Sequence, residues 1–315
     1  MFALAVVAIY SLILLVSIAI AKRFEQTPHV FQASEKFYDL KGKTAIITGG
    51  NSGIGYYVAE QLAARGARTI LACRDLHKAE AAKRRIIEAT SNSNITIKRL
   101  NLASLRTVRE FCAEVLASET HIDFLINNAG AIHLGDHETE DGLQITWQIN
   151  YFAPFLLTNL LLDKLKYCNG KIVNVTGQFC ANRVYLDDIN TYSPIIWREK
   201  LSHVLVADMV AYFNAKSALY ESSFEFARRL GTTGGSVCVF TVNPSSSNFY
   251  RRVYLGPIAI LYFWLHVLFP KPEVEARKLV ELILSDASIT KYGHDDEYLA
   301  NELWRRSCQL VNLQT

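Results

Sequence analysis

No two of the six cysteines form a Cys-x-x-Cys pair, and none stands at metal-ligand spacing from a histidine. A structural zinc module is therefore not expected, and no metal site is assigned. In a chain of 315 residues an even cysteine count is weak support for a disulfide framework. Cys73, Cys112, Cys168, Cys180, Cys238 and Cys308 read as reduced thiols in a reducing compartment, with Cys73 and Cys238 as small core residues in apolar runs. Charge of one sign is also scarce. The formal net charge is +3, and the basic residues are scattered rather than striped along one face, which argues against a nucleic-acid partner. Only 20% of residues are charged and 50% are hydrophobic, so the chain can bury a substantial core and disorder is not expected over most of its length.

The N-terminal stretch from Phe2 to Ala21 has no charged side chain and is long enough to cross a bilayer as a helix. A cleaved signal peptide is the competing reading, but such a segment carries Lys or Arg before its apolar run. Here Lys22 and Arg23 follow it. The expected organisation is a membrane anchor at 1–21, a polar linker at 22–42 and a single domain at 43–315, facing the cytosol by the positive-inside tendency. The endoplasmic reticulum is the default membrane, with a lipid-droplet surface as the alternative.

Downstream, short apolar runs alternate with helical stretches. Strands are predicted at 44–48, 69–73, 95–100, 122–126, 171–176 and 237–242, and helices at 53–65, 76–90, 105–117, 142–165 and 209–230. The alternation predicts an α/β fold, a doubly wound parallel sheet of the Rossmann type with helices on both faces. Two segments break the rhythm: residues 178–207, and an insertion at about 245–272 that turns apolar and aromatic from Tyr254 to Phe269. Insertions of this kind shape substrate sites, and the second reads as a pocket lid or an interfacial segment.

Two motifs carry the chemistry. Thr48-Gly-Gly-Asn-Ser-Gly-Ile-Gly55 follows a predicted strand and opens a helix. Side chains at Gly49, Gly53 or Gly55 would block the tight turn, or the approach of a pyrophosphate to helix N–H groups around Asn51, Ser52 and Ile54. Tyr212-Phe-Asn-Ala-Lys216 places a phenol and an ammonium one helical turn apart. The ammonium favours phenolate, bringing an otherwise weakly acidic group toward neutral-pH proton transfer. Together they predict a nicotinamide-dependent oxidoreductase. Arg74, at the end of the second strand, can pair with a 2′-phosphate, so NADP(H) is the preferred cofactor and NAD(H) the alternative because Asp75 follows.

These motifs, with Asn127-Asn-Ala-Gly130 between them, resemble the short-chain dehydrogenase/reductase superfamily from about Gly42 to the C-terminus. Leu71-Ala-Cys-Arg-Asp75, Asn101-Leu-Ala-Ser-Leu105, Phe155-Leu-Leu-Thr-Asn-Leu160 and Glu225-Phe-Ala-Arg-Arg-Leu230 are similar to its membrane-anchored, retinol-dehydrogenase-like branch. The stretch before Tyr212 is also similar to the catalytic domain of the WW-domain-containing oxidoreductase. The resemblance implies that Asn101 and Leu102 lie beside the adenine, although relatives usually have Asp at the first position. It also implies that Asn128, Ala129 and Gly130 border the cofactor ribose, that Lys216 holds that ribose, and that Asn150 serves a proton relay near Lys216. It makes a homodimer a plausible assembly.

Three positions depart from the family pattern. Tyr151-Phe-Ala-Pro154 replaces the usual small and histidine residues, with Pro154 tolerable in a first helical turn. Val173-Asn-Val-Thr-Gly177 ends in glycine where relatives have the serine that holds the substrate oxygen, and strand alternation turns Thr176 the other way. Loss of such a donor costs on the order of 10²–10³ in rate; Gln178, a local bend that redirects Thr176, or water would have to compensate. Ser245 stands where relatives carry glycine after Pro244. The expectation is a membrane-anchored oxidoreductase acting on an apolar alcohol or carbonyl, a retinoid, steroid or other lipid. The alternative is a catalytically impaired nucleotide-binding scaffold or sensor on the same fold; a lipid carrier is a third reading with less behind it.

Overall fold

The β-branched, apolar run Thr44–Thr48 is buried at all five positions, because a parallel strand covered on both faces has no solvent side. It is β1 of a six-stranded sheet in a computed structural model that describes residues 38–132, 134–177, 184, 186–192, 204–231, 235–242, 272–286 and 297–314. The other strands are β2 (Arg68–Cys73), β3 (Ile95–Arg99), β4 (Phe124–Asn127), β5 (Lys171–Gly177) and β6 (Ser236–Val242). All pair in parallel, in the order β3-β2-β1-β4-β5-β6. The order reverses between β1 and β4, which leaves a crevice at their carboxyl ends.

Two hydrophobic layers cover the sheet. On one face pack α1 (Gly53–Ala64), α2 (Leu76–Thr90) and α7 (Pro272–Leu284), through Ile54, Leu62, Ile86 and Leu279. The other face carries α3 (Leu105–Ser118), a short α4 (Ile145–Trp147), α5 (Ala153–Tyr167), α6 (Val204–Leu230) and α8 (Glu297–Leu310). Phe111, Trp147, Phe155, Phe226 and Trp304 form its aromatic centre.

The single helix predicted at 142–165 is broken in the structure. A π-helical turn, Gln148–Phe152, separates α4 from α5. Pro154 is the physical cause: it has no N–H for the Asn150 carbonyl four residues back, and its ring would crowd that carbonyl. The backbone widens instead, and the Ala153 N–H reaches the Gln148 carbonyl, five residues back. Helix α6 starts at Val204, earlier than predicted, and a 3₁₀ turn at Leu186–Asp188 occupies part of the connection before it. The periodicity reading assigned no elements to α7 or α8. The anchor segment, Gln178, Ser245 and nearly all of the 245–272 insertion lie outside the described residues. Among the described residues no helix is long and apolar enough to cross a membrane.

One ion pair ties the start of β2 to the end of α3. The Arg68 guanidinium donates through Nε to Glu119 Oε2 at 2.7 Å and through Nη2 to Oε1 at 2.8 Å. Glu119 is buried, and the Arg68 hydrogen bonds hold its carboxyl below the usual range against the opposing effect of desolvation. A depressed carboxyl pKa stabilises the fold above the unfolded value and loses that contribution as pH falls through the folded value. Glu119→Gln should therefore lower unfolding free energy by about 1–3 kcal/mol at pH 7. The difference should shrink below about pH 4, which denaturant titrations at pH 7 and pH 3 would compare.

Candidate active site

The crevice begins where β1 stops. Gly49 and Gly53 have φ of +67° and +57°, in the left-handed region where side chains are strained. Gly55 is constrained by contact instead: a Cβ there would lie 2.5 Å from Asn128 Nδ2 and 2.6 Å from the Gly49 carbonyl oxygen. The turn is thus pressed onto the segment after β4. Ser52 caps α1 by backbone alone, and no acidic residue occupies the first turn. The N–H groups at this helix start therefore face the crevice with a positive dipole end, a fitting seat for an anion.

Thr48 locks the two strand ends together. Its hydroxyl accepts the N–H groups of Asn128 at 3.0 Å and Ala129 at 2.9 Å, and donates to the Ile126 carbonyl at 3.3 Å. Asn128 Nδ2 returns a hydrogen bond to the Thr48 carbonyl at 2.9 Å.

A cavity of about 460 Å³ opens above these strand ends. Of the sequence-predicted residues, Gly49, Asn51, Ser52, Gly53, Ile54, Arg74, Asn101, Leu102, Asn128, Ala129, Gly130, Tyr212 and Lys216 line it. Gly55 and Asn150 do not. Gly55 lies under the turn, in the contact just described. Asn150 is fully buried; its Oδ1 accepts the Ala131 N–H, and its Nδ2 donates to the carbonyls of Ala131 and Thr146 at 2.7 and 2.8 Å. It holds the backbone after Gly130, where an added Cβ would lie 3.0 Å from Asn150 Oδ1 and 3.5 Å from Lys216 Nζ.

Lys216 is 2% exposed and donates to the Val175 carbonyl at 3.0 Å, so its ammonium sits under the end of β5. Tyr212 lies one turn earlier on α6 and lines the same cavity. A buried chain of amides and hydroxyls sets this helix: Asn127 Nδ2 donates to Thr158 and to Asn174 Oδ1, and Asn174 Nδ2 donates to Ser223 on α6 at 2.8 Å. Asn174 therefore faces α6. By alternation Thr176 shares that face, and its buried hydroxyl has no hydrogen-bond partner among the described residues. Gly177 ends the strand without a side chain.

Sequence reasoning overlooked Thr48, Cys73 and Lys78 as lining residues. Burial pushes the Cys73 thiol up to about 11, even though the backbone N–H groups of Asn51 and Gly50 reach it. It stays protonated at neutral pH and packs under the glycine turn. Its place at the carboxyl end of β2, beside β1, was the available signal. Lys78 could have been found from its spacing to Arg74, one turn into α2.

Tyr151, which departs from the family pattern, is accounted for by α8. It is fully buried, hydrogen-bonds Ser307 at 2.7 Å and packs edge-on or tilted against Trp147, Phe152 and Phe155.

The Gly55 contact leaves no room for a methyl group. Gly55→Ala should destabilise the fold by about 1–3 kcal/mol, read as a drop of a few degrees in thermal unfolding midpoint. An unchanged midpoint would mean that Asn128 yields without cost.

Residues 43–193 match the family model described as short chain dehydrogenase. Human retinol dehydrogenase 13 is 34% identical over 303 residues, spanning 87% of this chain and 86% of that protein. Among solved structures, an uncharacterised protein of Mycobacterium paratuberculosis superposes with a TM-score of 0.65 at 27% identity, covering 88% of this chain and 96% of that one. The Pseudomonas aeruginosa RhlG/NADP active-site complex shares the fold, with a TM-score of 0.63 at 20% identity over 82% of this chain and 95% of its own. The glycine turn, the parallel sheet with its switch point and these likenesses agree: the chain belongs to the short-chain dehydrogenase family of oxidoreductases and is related to the retinol dehydrogenases.

Proposed function

We propose that the protein is a membrane-anchored oxidoreductase that interconverts an apolar alcohol and its carbonyl compound with NADP(H), Tyr212 exchanging the substrate proton. The observation that carries this reading is the buried Lys216 ammonium on the same helix as Tyr212, opening into the cavity that begins at the glycine turn. When bound, the dinucleotide supplies the hydride chemistry. Residues Asn51–Ile54 would hold its pyrophosphate, and Asn128–Gly130 and Lys216 its ribose.

On this reading the Tyr212 hydroxyl meets the substrate oxygen, and the fixed positive charge of Lys216 favours the phenolate form in the transfer. Asn150 acts by holding the Gly130–Ala131 backbone against Lys216, which supports a positioning part beside the relay role that the family resemblance implies. The preference for NADP(H) is supported by Asp75. Its Oδ1 accepts the Lys78 N–H at 3.0 Å and its Oδ2 pairs with Lys78 Nζ at 3.2 Å, so both oxygens are engaged as the cap of α2. Arg74 remains to meet a 2′-phosphate.

An apolar substrate is supported by the similarity to retinol dehydrogenase 13 and by the uncharged run at residues 2–21. The same run supports an endoplasmic reticulum membrane with the domain on the cytosolic side, or a lipid-droplet surface.

Gly177 favours a second reading, a nucleotide-binding scaffold or sensor with impaired catalysis. NADPH consumption by detergent-solubilised protein against retinal, steroid ketones and long-chain aldehydes separates the two. The enzyme reading predicts turnover that Tyr212→Phe lowers by about 10²–10⁴-fold while NADPH affinity holds. Turnover that survives this substitution would sink the role given to Tyr212. If wild type binds NADPH without turnover and Gly177→Ser creates it, the scaffold reading stands and the missing hydroxyl is its cause.

A further inference from the structure

We infer that Asp208 is a positioning residue for the substrate: its buried carboxylate pins the chain after Gly130 to α6, so that Ile132 and Leu134 form a fixed apolar wall at the reacting end of the cavity. The inference rests on the enzyme reading above and names what shapes the substrate side of that site.

The chain after Gly130 runs beside the groups assigned to the chemistry. A Cβ on Gly130 would lie 3.4 Å from Lys216 Cε, and Ile132 and Leu134 line the same cavity as Tyr212 and Phe213. Two tethers hold this stretch. At its near end Asn150 bonds both the N–H and the carbonyl of Ala131. At its far end the Gly135 N–H donates to Asp208 Oδ1 at 3.2 Å, and the Gly135 carbonyl accepts Gln144 Nε2 at 3.2 Å. Ile132 and Leu134 stand between the tethers, so they meet the cavity from a backbone held on both sides.

A carboxylate is a costly choice for such a tether. Asp208 lies on α6 one turn before Tyr212 and is 3% exposed, and a charge so buried is stable only where hydrogen bonds replace its water. The Tyr192 hydroxyl supplies a second donor to Oδ1, at 3.0 Å. Burial, and then the Asp208 carboxylate, push that phenol up, so it stays protonated and remains the donor. The stretch around Tyr192 is held in turn: the Thr191 carbonyl accepts Trp147 Nε1 at 2.7 Å, and Asn190 Oδ1 accepts the Gln144 N–H at 2.8 Å. Asp208 thus joins the chain after β4, the stretch before α6 and α6 itself at a single oxygen. An apolar residue at 208 would take that acceptor from Gly135 and Tyr192, leaving the far end of the wall to Gln144 alone. The two side chains that the tether fixes carry no polar group, which suits an apolar carbonyl compound.

Steady-state kinetics of the full chain in detergent, with NADPH and each of retinal, a steroid ketone and a long-chain aldehyde, test this beside the Kd for NADPH. Asp208→Ala should raise KM for the carbonyl compound by about tenfold and leave kcat and the NADPH Kd within about threefold of wild type, because a wall that meets substrate and transition state alike contributes uniform binding. Asp208→Asn keeps an oxygen for Gly135 and Tyr192 and should recover most of that KM. Tyr192→Phe removes one donor but keeps the ring, and should raise KM by less; it decides the matter if Asp208→Ala does not fold. A KM that neither Asp208→Ala nor Tyr192→Phe moves, or an NADPH Kd that rises in step with KM, overturns the inference and leaves the enzyme reading intact. A wild type that binds NADPH but reduces none of the three compounds overturns that reading, and the inference with it.

Discussion

Everything in the crevice depends on how the carboxyl ends of β1 and β4 are joined. The Thr48 hydroxyl takes two consecutive N–H groups from the segment after β4, while Asn128 returns a bond to the Thr48 carbonyl. The contact is close enough that Gly55 has no room for a Cβ against Asn128. This one knot sets the glycine turn, the start of α1 and the Asn128–Gly130 segment as a single wall. Moving any of them would strand the part-buried N–H groups of Asn128 and Ala129, and an unsatisfied donor away from water is destabilising.

From that wall a second set of buried polar contacts carries position across to β5 and α6. Asn127 links to Asn174, and Asn174 to Ser223, so β4, β5 and α6 share one hydrogen-bonded chain. Asn150 clamps the backbone after Gly130 from the opposite direction. Lys216 is caught between them, with the Val175 carbonyl accepting from its ammonium. A charge buried to 2% exposure requires such partners, because desolvation without them would cost several kcal/mol. The polar chain and the aromatic cluster of Trp147, Tyr151, Phe155, Phe226 and Trp304 lie in one layer. Directional and packing constraints thus fall on the same helix.

The departures from family pattern divide by their surroundings. Tyr151 is compensated, because α8 supplies Ser307 to its hydroxyl and Trp304 to its neighbour Phe155, and the core closes. Pro154 is accommodated by the π turn. Thr176 and Gly177 have no such account: among the described residues the buried Thr176 hydroxyl lacks a partner at the strand end where the family resemblance implies a serine pair. The glycine-turn side of the crevice is tightly determined and the carboxyl end of β5 is less so.

Much of this was legible in the chain. Runs such as Thr44–Thr48 and Lys171–Gly177 announce buried parallel strands because continuous apolar, β-branched character suits only a strand covered on both faces. Glycines at 49, 53 and 55 announce the turn because no other residue fits there. Local steric and hydropathic rules decide such features within a few residues, and sequence alone determined them. Other features arise from contacts between residues far apart in the chain. Thr48 reads as an ordinary strand end until Asn128 arrives beside it, and Cys73 as a core thiol until the sheet sets it under the turn. Asp75 reads as a free carboxylate until Lys78 engages both its oxygens, and the Asn101 amide has no direction until the Ala103 N–H orients it. The tertiary structure alone decided these, because a hydrogen bond has a direction that residue identity does not specify until its partner is in place.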